Sequence, residues 1–289
     1  MSEKIFFRET NKINRDSRRV IFEVKKVFST CQIIFFILDA RNPIGTWPSF
    51  LNKKDKYKSK KILIILNKCD LVPVDVAEKW IKIISKQFLV FSFFCKKKNE
   101  TEQKKIISVL RQIKKQFFKE KKKIHAGVIG YPNVGKSSFI NSLIGKKSLR
   151  ESCVAGETKT WQFIKLTKDI FLTDSPGSIS GEELSGEWGI LKGTIKIEKI
   201  GEIKKEILQN LFKIIGKSKE KRLKHLHQKK GLLIRGGKQN YILNNHIIFK
   251  AFLSGKLPWC SPIPEKKGSV NKILFINTWK TTLFSTKPV

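Results

Sequence analysis

The run Gly130-Tyr131-Pro132-Asn133-Val134-Gly135-Lys136-Ser137-Ser138 has the residue types and spacing of a polyphosphate cradle. Its glycines let backbone N–H groups turn inward around phosphate oxygens, and a helix starting at its end adds a positive dipole end. Lys136 is placed for β and γ phosphates and Ser137 for Mg²⁺, with Asn133, Val134, Gly135 and Ser138 completing the loop. Upstream stands Asn67-Lys68-Cys69-Asp70, whose chemistry favours guanine. The Asp70 carboxylate can accept from both the ring N1–H and the exocyclic amine, Asn67 can reach the O6/N7 edge, and Lys68 can pack over the ring. Adenine offers no such donor pair, and each charge-assisted bond contributes on the order of 1.5 to 3 kcal/mol.

These residues need a sheet to bring them together. The apolar runs Ile33–Leu38, Ile62–Leu66, Phe88–Phe93 and Ala126–Ile129 read as buried parallel strands, the second ending at Asn67 and the fourth at the glycine loop. Ser92 falls near the end of the third, where a backbone loop facing guanine would sit. Between the strands, Val76, Ala77, Trp80, Ile83 and Ile84 predict one helix, and Ile106, Ile107, Leu110, Ile113 and Phe117 another. Residues 96–105 read as a charged loop. After the glycine loop, Phe139, Ile140, Leu143 and Ile144 recur at helical spacing. Val20, Val24, Val27 and Phe28 predict a further helix before the first strand, and Asp39-Ala40-Arg41-Asn42-Pro43 reads as the turn after it.

Downstream, Gly156-Glu157-Thr158-Lys159 is a polar stretch suited to a mobile loop, with Thr158 able to bring a second hydroxyl to Mg²⁺ once a γ-phosphate is present. Two more strands, within Trp161–Leu166 and Ile170–Leu172, lead to Asp174-Ser175-Pro176-Gly177. There Asp174 is suited to hold Mg²⁺ through water and the Gly177 amide to sense the γ-phosphate. The guanine element precedes the glycine loop by about sixty residues, the reverse of ordinary GTPases. Such a permutation is tolerable because termini of compact domains often lie close together and every motif still reaches the carboxyl edge of one sheet.

Charge is the compositional outlier. Sixty Lys and Arg against 24 Asp and Glu leave +36 over 289 residues, a surplus that repels itself unless a polyanion accepts it. The segment from Gly189 to Val289 holds 22 Lys and Arg against five acidic residues and has helical periodicity at Ile207, Leu208, Leu211, Ile214 and Ile215 and again at Ile247–Leu253. The sequence therefore divides into a basic arm at 1–16, an α/β nucleotide domain at 17–187, a basic all-helical RNA-binding domain at 188–265 and a tail at 266–289. No apolar run approaches the ~18 residues of a spanning helix, and the amino terminus has no apolar signal core, so a soluble intracellular protein without membrane contact is expected. The five cysteines are scattered without CxxC spacing, which argues against zinc and disulfides. His225 and His227 lie in a basic run without acidic partners and read as surface residues.

The stretches LDARNPIGT, LNKCDLVP, IGYPNVGKSS, AGETKTWQFIKL and LTDSPG, in that order, resemble the circularly permuted ribosome-assembly GTPases. GETKTWQ, LKGTIKIEKI and the segment from RGGKQN to GKLPW are most similar to nucleolar members of that family. The resemblance covers roughly residues 18 to 264. It implies a doubly wound, mostly parallel sheet and a GTPase of the nucleolus and nucleus that acts as a monomer. Its implied partner is the pre-ribosomal large subunit, bound through rRNA, with nucleotide state coupled to maturation and export readiness. Position by position it carries Lys136 and Ser137 to phosphate and Mg²⁺, Thr158 and Asp174 to the metal shell, Asn67 and Asp70 to guanine, and Asn133 to a K⁺ beside the phosphates. Ser178 follows Gly177 where signalling GTPases have a water-positioning glutamine, so a low intrinsic, K⁺-stimulated rate is expected. Asn42 stands where the family usually has aspartate. Two other readings remain at this point: a GTP-dependent RNA-binding placeholder with little catalytic role, and a related permuted GTPase acting on organellar or cytoplasmic large subunits.

Overall fold

The computed structural model describes residues 22, 24–48, 59–94, 100–145, 162–174, 248–256, 259–261 and 263. Expectations for the amino-terminal arm, for Thr158 and Gly177, for residues 188–247 and for the tail lie outside the described residues. Helix α1 (24–30) leads into β1 (Ile33–Asp39). Then come β2 (Lys61–Asn67), a 3₁₀ turn at Cys69–Leu71, α2 (Val74–Ile84), β3 (Leu89–Ser92) and α3 (Glu100–Phe117). The second half runs β4 (Ile124–Gly130), α4 (Lys136–Ile144), β5 (Gln162–Lys165), β6 (Ile170–Asp174) and α5 (248–253).

All seven residues of β1 are buried, the pattern of a strand covered on both faces. It is flanked by β2 and β4 in a sheet of order β3-β2-β1-β4-β6-β5, parallel except for the β5–β6 hairpin. This is the doubly wound architecture expected from the apolar runs. Register does the positioning: Asp39 pairs with Asn67 across β1 and β2, and Ile37 pairs with Gly130 across β1 and β4. The end of β1 thus lies between the guanine-type loop and the glycine loop, at the carboxyl edge where open α/β sheets hold ligands. Helix α4 buries Phe139, whose ring meets Phe35 of β1 at 5.3 Å and Phe93 at 5.1 Å, both edge-on. That packing fixes the helix, and with it the glycine loop, over the middle of the sheet.

Two expectations are corrected. Phe88–Phe93 is not a fully buried strand, because β3 is the sheet edge and Leu89 remains exposed. Residues 100–105 are not loop but the first turns of α3. Glu100 and Glu102 complement the dipole there and Lys105 pairs with Glu102 at 3.0 Å, which supports a helical start that lacks the apolar spacing of the later turns. Cys31 is buried, and Cys69 and Cys260 are half-buried. Among the described residues no three His, Cys, Asp or Glu cluster as a metal site, and no helix is long and apolar enough to cross a membrane.

Candidate nucleotide-binding site

Gly130 ends β4 and Gly135 caps α4, so the residues between them turn at the sheet edge. The turn uses left-handed backbone at Asn133 (φ 61°) and Gly135 (φ 98°). At Gly135 a side chain is excluded twice over: the backbone is one that L residues rarely adopt, and a Cβ would lie 2.3 Å from Asn67 Nδ2. Lys136 begins α4 and its Nζ donates to the carbonyls of Gly130 and Tyr131, both at 2.9 Å. The ammonium therefore sits over the mouth of the loop, within the loop's own framework. Ser137 and Ser138 occupy the first turn of α4, and both are exposed. A loop of this curvature, ending on a helix start with a lysine and two hydroxyls, fits a nucleotide polyphosphate with Mg²⁺.

The guanine-type loop is strapped to the glycine loop. Asn67, 1% exposed, donates from Nδ2 to the Val134 carbonyl at 2.7 Å. Lys68 is held in left-handed backbone (φ 64°) and its Nζ donates to the Asn133 carbonyl at 2.5 Å. A non-glycine residue in that conformation costs roughly 1–3 kcal/mol and is kept where surrounding bonds over-determine it. Here the lysine head spans two loops, which sequence spacing did not reveal. In this geometry Asn67 works as a tie between the loops, a role beside the base contact expected from its sequence. Asp70 is exposed in the 3₁₀ turn, open to a base. Ser92 ends β3 beside Leu66, and the following Phe93 carbonyl accepts from the Cys69 amide at 3.2 Å, which steadies the same loop. Asp174 ends β6 opposite Val128 of β4, so its backbone reaches the same edge.

A further group of residues was read only as a turn. Asp39, at the end of β1, accepts from Arg41 Nη2 at 2.7 Å on Oδ2, from Arg41 Nε at 3.0 Å on Oδ1, and from Lys68 Nζ at 2.7 Å on Oδ2. Burial alone would push the Asp39 carboxyl up, but the Arg41 and Lys68 cations override it and hold the group at about 2. The signal available in the sequence was an Asp-Ala-Arg placed directly after a fully apolar strand, where two charges at a sheet's carboxyl edge must find partners. Asn42 is buried; its Oδ1 accepts from the Gly45 amide at 2.9 Å, while its Nδ2 has no hydrogen-bond partner among the described residues.

Comparison with known proteins agrees with this fold. The family model described as 50S ribosome-binding GTPase matches residues 125–235, beginning at the strand that leads into the glycine loop and leaving β1, β2 and β3 upstream. Nucleolar GTP-binding protein 2 of Saccharomyces cerevisiae is 35% identical over 267 residues, which cover 87% of this chain and 55% of the relative. Nuclear/nucleolar GTPase 2 of Arabidopsis thaliana is 35% identical over 263 residues, covering 86% of this chain and 46% of the relative. The chain belongs to the circularly permuted GTPase family. It spans about half the length of these relatives. The chain also shares its fold with YlqF from T. maritima, solved GNP-bound (TM-score 0.59, 22% identity, 82% of this chain and 94% of that one) and GDP-bound (TM-score 0.61, 22% identity, 84% and 99%). The strand order β3-β2-β1-β4-β6-β5 is what lets an upstream guanine-type loop and a downstream glycine loop meet.

Proposed function

We propose that the protein binds GTP with Mg²⁺ and hydrolyses it slowly while bound to pre-ribosomal large-subunit particles in the nucleolus and nucleus, so that nucleotide state reports on maturation and export readiness. The observation that carries the reading is the double strap of Asn67 to Val134 and Lys68 to Asn133, which makes one site of a guanine-type loop and a phosphate loop. Asp70 reads the guanine donors, Lys136 leaves its loop carbonyls for the β and γ phosphates, and Ser137, Thr158 and Asp174 hold Mg²⁺. The metal, when bound, offsets phosphate charge. Asn133 is the candidate ligand for K⁺, and the Gly177 amide senses the γ-phosphate. The names of the yeast and Arabidopsis relatives support the compartment, and the +36 charge supports rRNA as the partner. Binding through many lysines falls steeply between low and moderate salt on this reading.

The test is single-turnover GTP hydrolysis by the purified chain in K⁺ and in Na⁺. The expected result is low turnover that K⁺ raises; fast turnover in Na⁺ without RNA contradicts it. Ser178, in the place of a water-positioning glutamine, favours a second reading in which GTP binding alone matters and hydrolysis does not. A variant that binds GTP with chemistry blocked separates the two: normal release of the particle supports the placeholder, retention supports the enzyme.

A further inference from the structure

The turn after β1 makes a second set of contacts, with α5 and the residues that follow it. Arg41 is 4% exposed. While two of its nitrogens hold Asp39, its Nη1 donates to the carbonyls of Phe252 at 3.0 Å and Leu253 at 3.1 Å, the last turn of α5. Carbonyls in a helix's last turn lack the usual partner within the helix, and a cation there also meets the negative end of the dipole. The Arg41 guanidinium lies 5.4 Å from the centre of the Trp259 ring, which itself stacks on Phe252 at 4.6 Å. The Arg41 carbonyl accepts from the Ser261 amide at 2.6 Å. Just past α5, Gly255 (φ 76°) lies against Leu71 of the 3₁₀ turn that carries Asp70, so closely that a Cβ would come within 2.6 Å of Leu71 Cδ1. Gly255 therefore touches the guanine-type loop directly, and Phe252, Leu253, Trp259 and Ser261 are held by an arginine whose counter-ion also holds Lys68.

We propose that Asp39 and Arg41 are positioning residues that couple nucleotide binding to the docking of α5 and Trp259 on the nucleotide domain. The connection runs from the Asn133 carbonyl to Lys68, to Asp39, to Arg41 and to the end of α5, each step a hydrogen bond. A nucleotide that settles Lys68 over its base fixes one side of Asp39 and leaves the fork of Arg41 aligned for the α5 carbonyls. Undocking of α5 and Trp259 takes the carbonyl acceptors and the ring from Arg41 and removes the support behind Leu71, which loosens the guanine-type loop. Because coupling between two equilibria is reciprocal, the factor by which nucleotide stabilises docking equals the factor by which docking strengthens nucleotide binding. The inference rests on the reading of the site as a guanine-nucleotide site.

The test uses the full chain, with GDP as probe, and follows hydrogen exchange of the peptide spanning residues 248–261 alongside the GDP dissociation constant. GDP is expected to slow exchange of that peptide about fivefold or more. In Arg41→Lys, which keeps the charge but not the fork, the GDP-dependent difference disappears and GDP affinity falls by a matching factor. Trp259→Leu, which lies outside the guanine-type and glycine loops, has the same two effects and carries the test if Arg41→Lys does not fold. A merely structural role would raise exchange in the free and bound forms alike and leave their ratio intact, and that result overturns the coupling. GDP binding with no effect on the wild-type peptide also overturns the coupling alone, whereas failure to bind GDP overturns the guanine-site reading with it.

Discussion

Replacing Asp39 by asparagine removes a charge that two buried or half-buried cations share, and the cost can be worked from its titration. The carboxyl falls from an ordinary 3.8 to about 2 in the folded protein: burial opposes the shift, and the Arg41 and Lys68 contacts outweigh it. A depressed carboxyl contributes stability that is complete well above the unfolded value and is lost as pH falls through the folded value. At 1.36 kcal/mol per pKa unit, the shift is worth about 2 kcal/mol at neutral pH, of which about 1 is gone by pH 3 and most by pH 2. The substituted amide cannot titrate, and it also leaves Arg41 as a buried cation without its counter-ion, a change of about 3–5 kcal/mol in comparable buried pairs. Urea unfolding of wild type and Asp39→Asn across pH 2 to 7 measures both effects. Wild type should exceed the variant by about 3 kcal/mol or more at neutral pH, and the gap should close by about 2 kcal/mol on acidification as the wild-type carboxyl takes up its proton. A gap that stays constant from pH 7 to pH 2 refutes the assignment of Asp39 as the shared counter-ion.

Gly135→Ala places a Cβ against Asn67 Nδ2 and forces a left-handed backbone, which costs about 1–2 kcal/mol before the strap is displaced. GDP affinity measured calorimetrically should drop at least about tenfold, and an unchanged affinity would show that the loop curvature does not depend on this glycine. Cys31 is fully buried, and burial pushes its thiol up to about 11 despite the opposing Thr173 hydrogen bond and Lys60 charge. Only on the order of one in a thousand such thiols is ionised at pH 8, so iodoacetamide should label Cys31 in urea and spare it in the native protein. Native labelling as fast as unfolded labelling would contradict the packing of α1 on the sheet.

The buried strands were legible because each is an uninterrupted apolar run bounded by turn residues, a local property of Ile33–Leu38 and Ile62–Leu66. So was the glycine loop, whose spacing is itself the mechanism. What lies between strands was not legible. Asp39 meets Lys68 only because β1 and β2 pair in the register that sets Asp39 beside Asn67, and register is a property of two segments separated by a long connection. The same holds for Arg41, whose partners Phe252 and Leu253 lie 211 and 212 residues away in sequence. Periodicity predicted helix at Ile247–Leu253, and α5 is found at 248–253, yet nothing in that pattern says which surface the helix covers. The start of α3 was missed for the opposite reason: Glu100 to Lys105 form helix through charge placement and carry no apolar period to read.

Competition binding of nucleotides to the purified chain tests the central claim most directly. Fluorescent GDP bound to the protein should be displaced by GTP and GDP at low concentration and by ATP only at far higher concentration, and Asp70→Asn should weaken GDP by about tenfold or more through loss of the charge-assisted bonds. Displacement by ATP as readily as by GTP, or a wild-type affinity unchanged in Asp70→Asn, would contradict the account of Asn67 to Asp70 and the glycine loop as one guanine-nucleotide site.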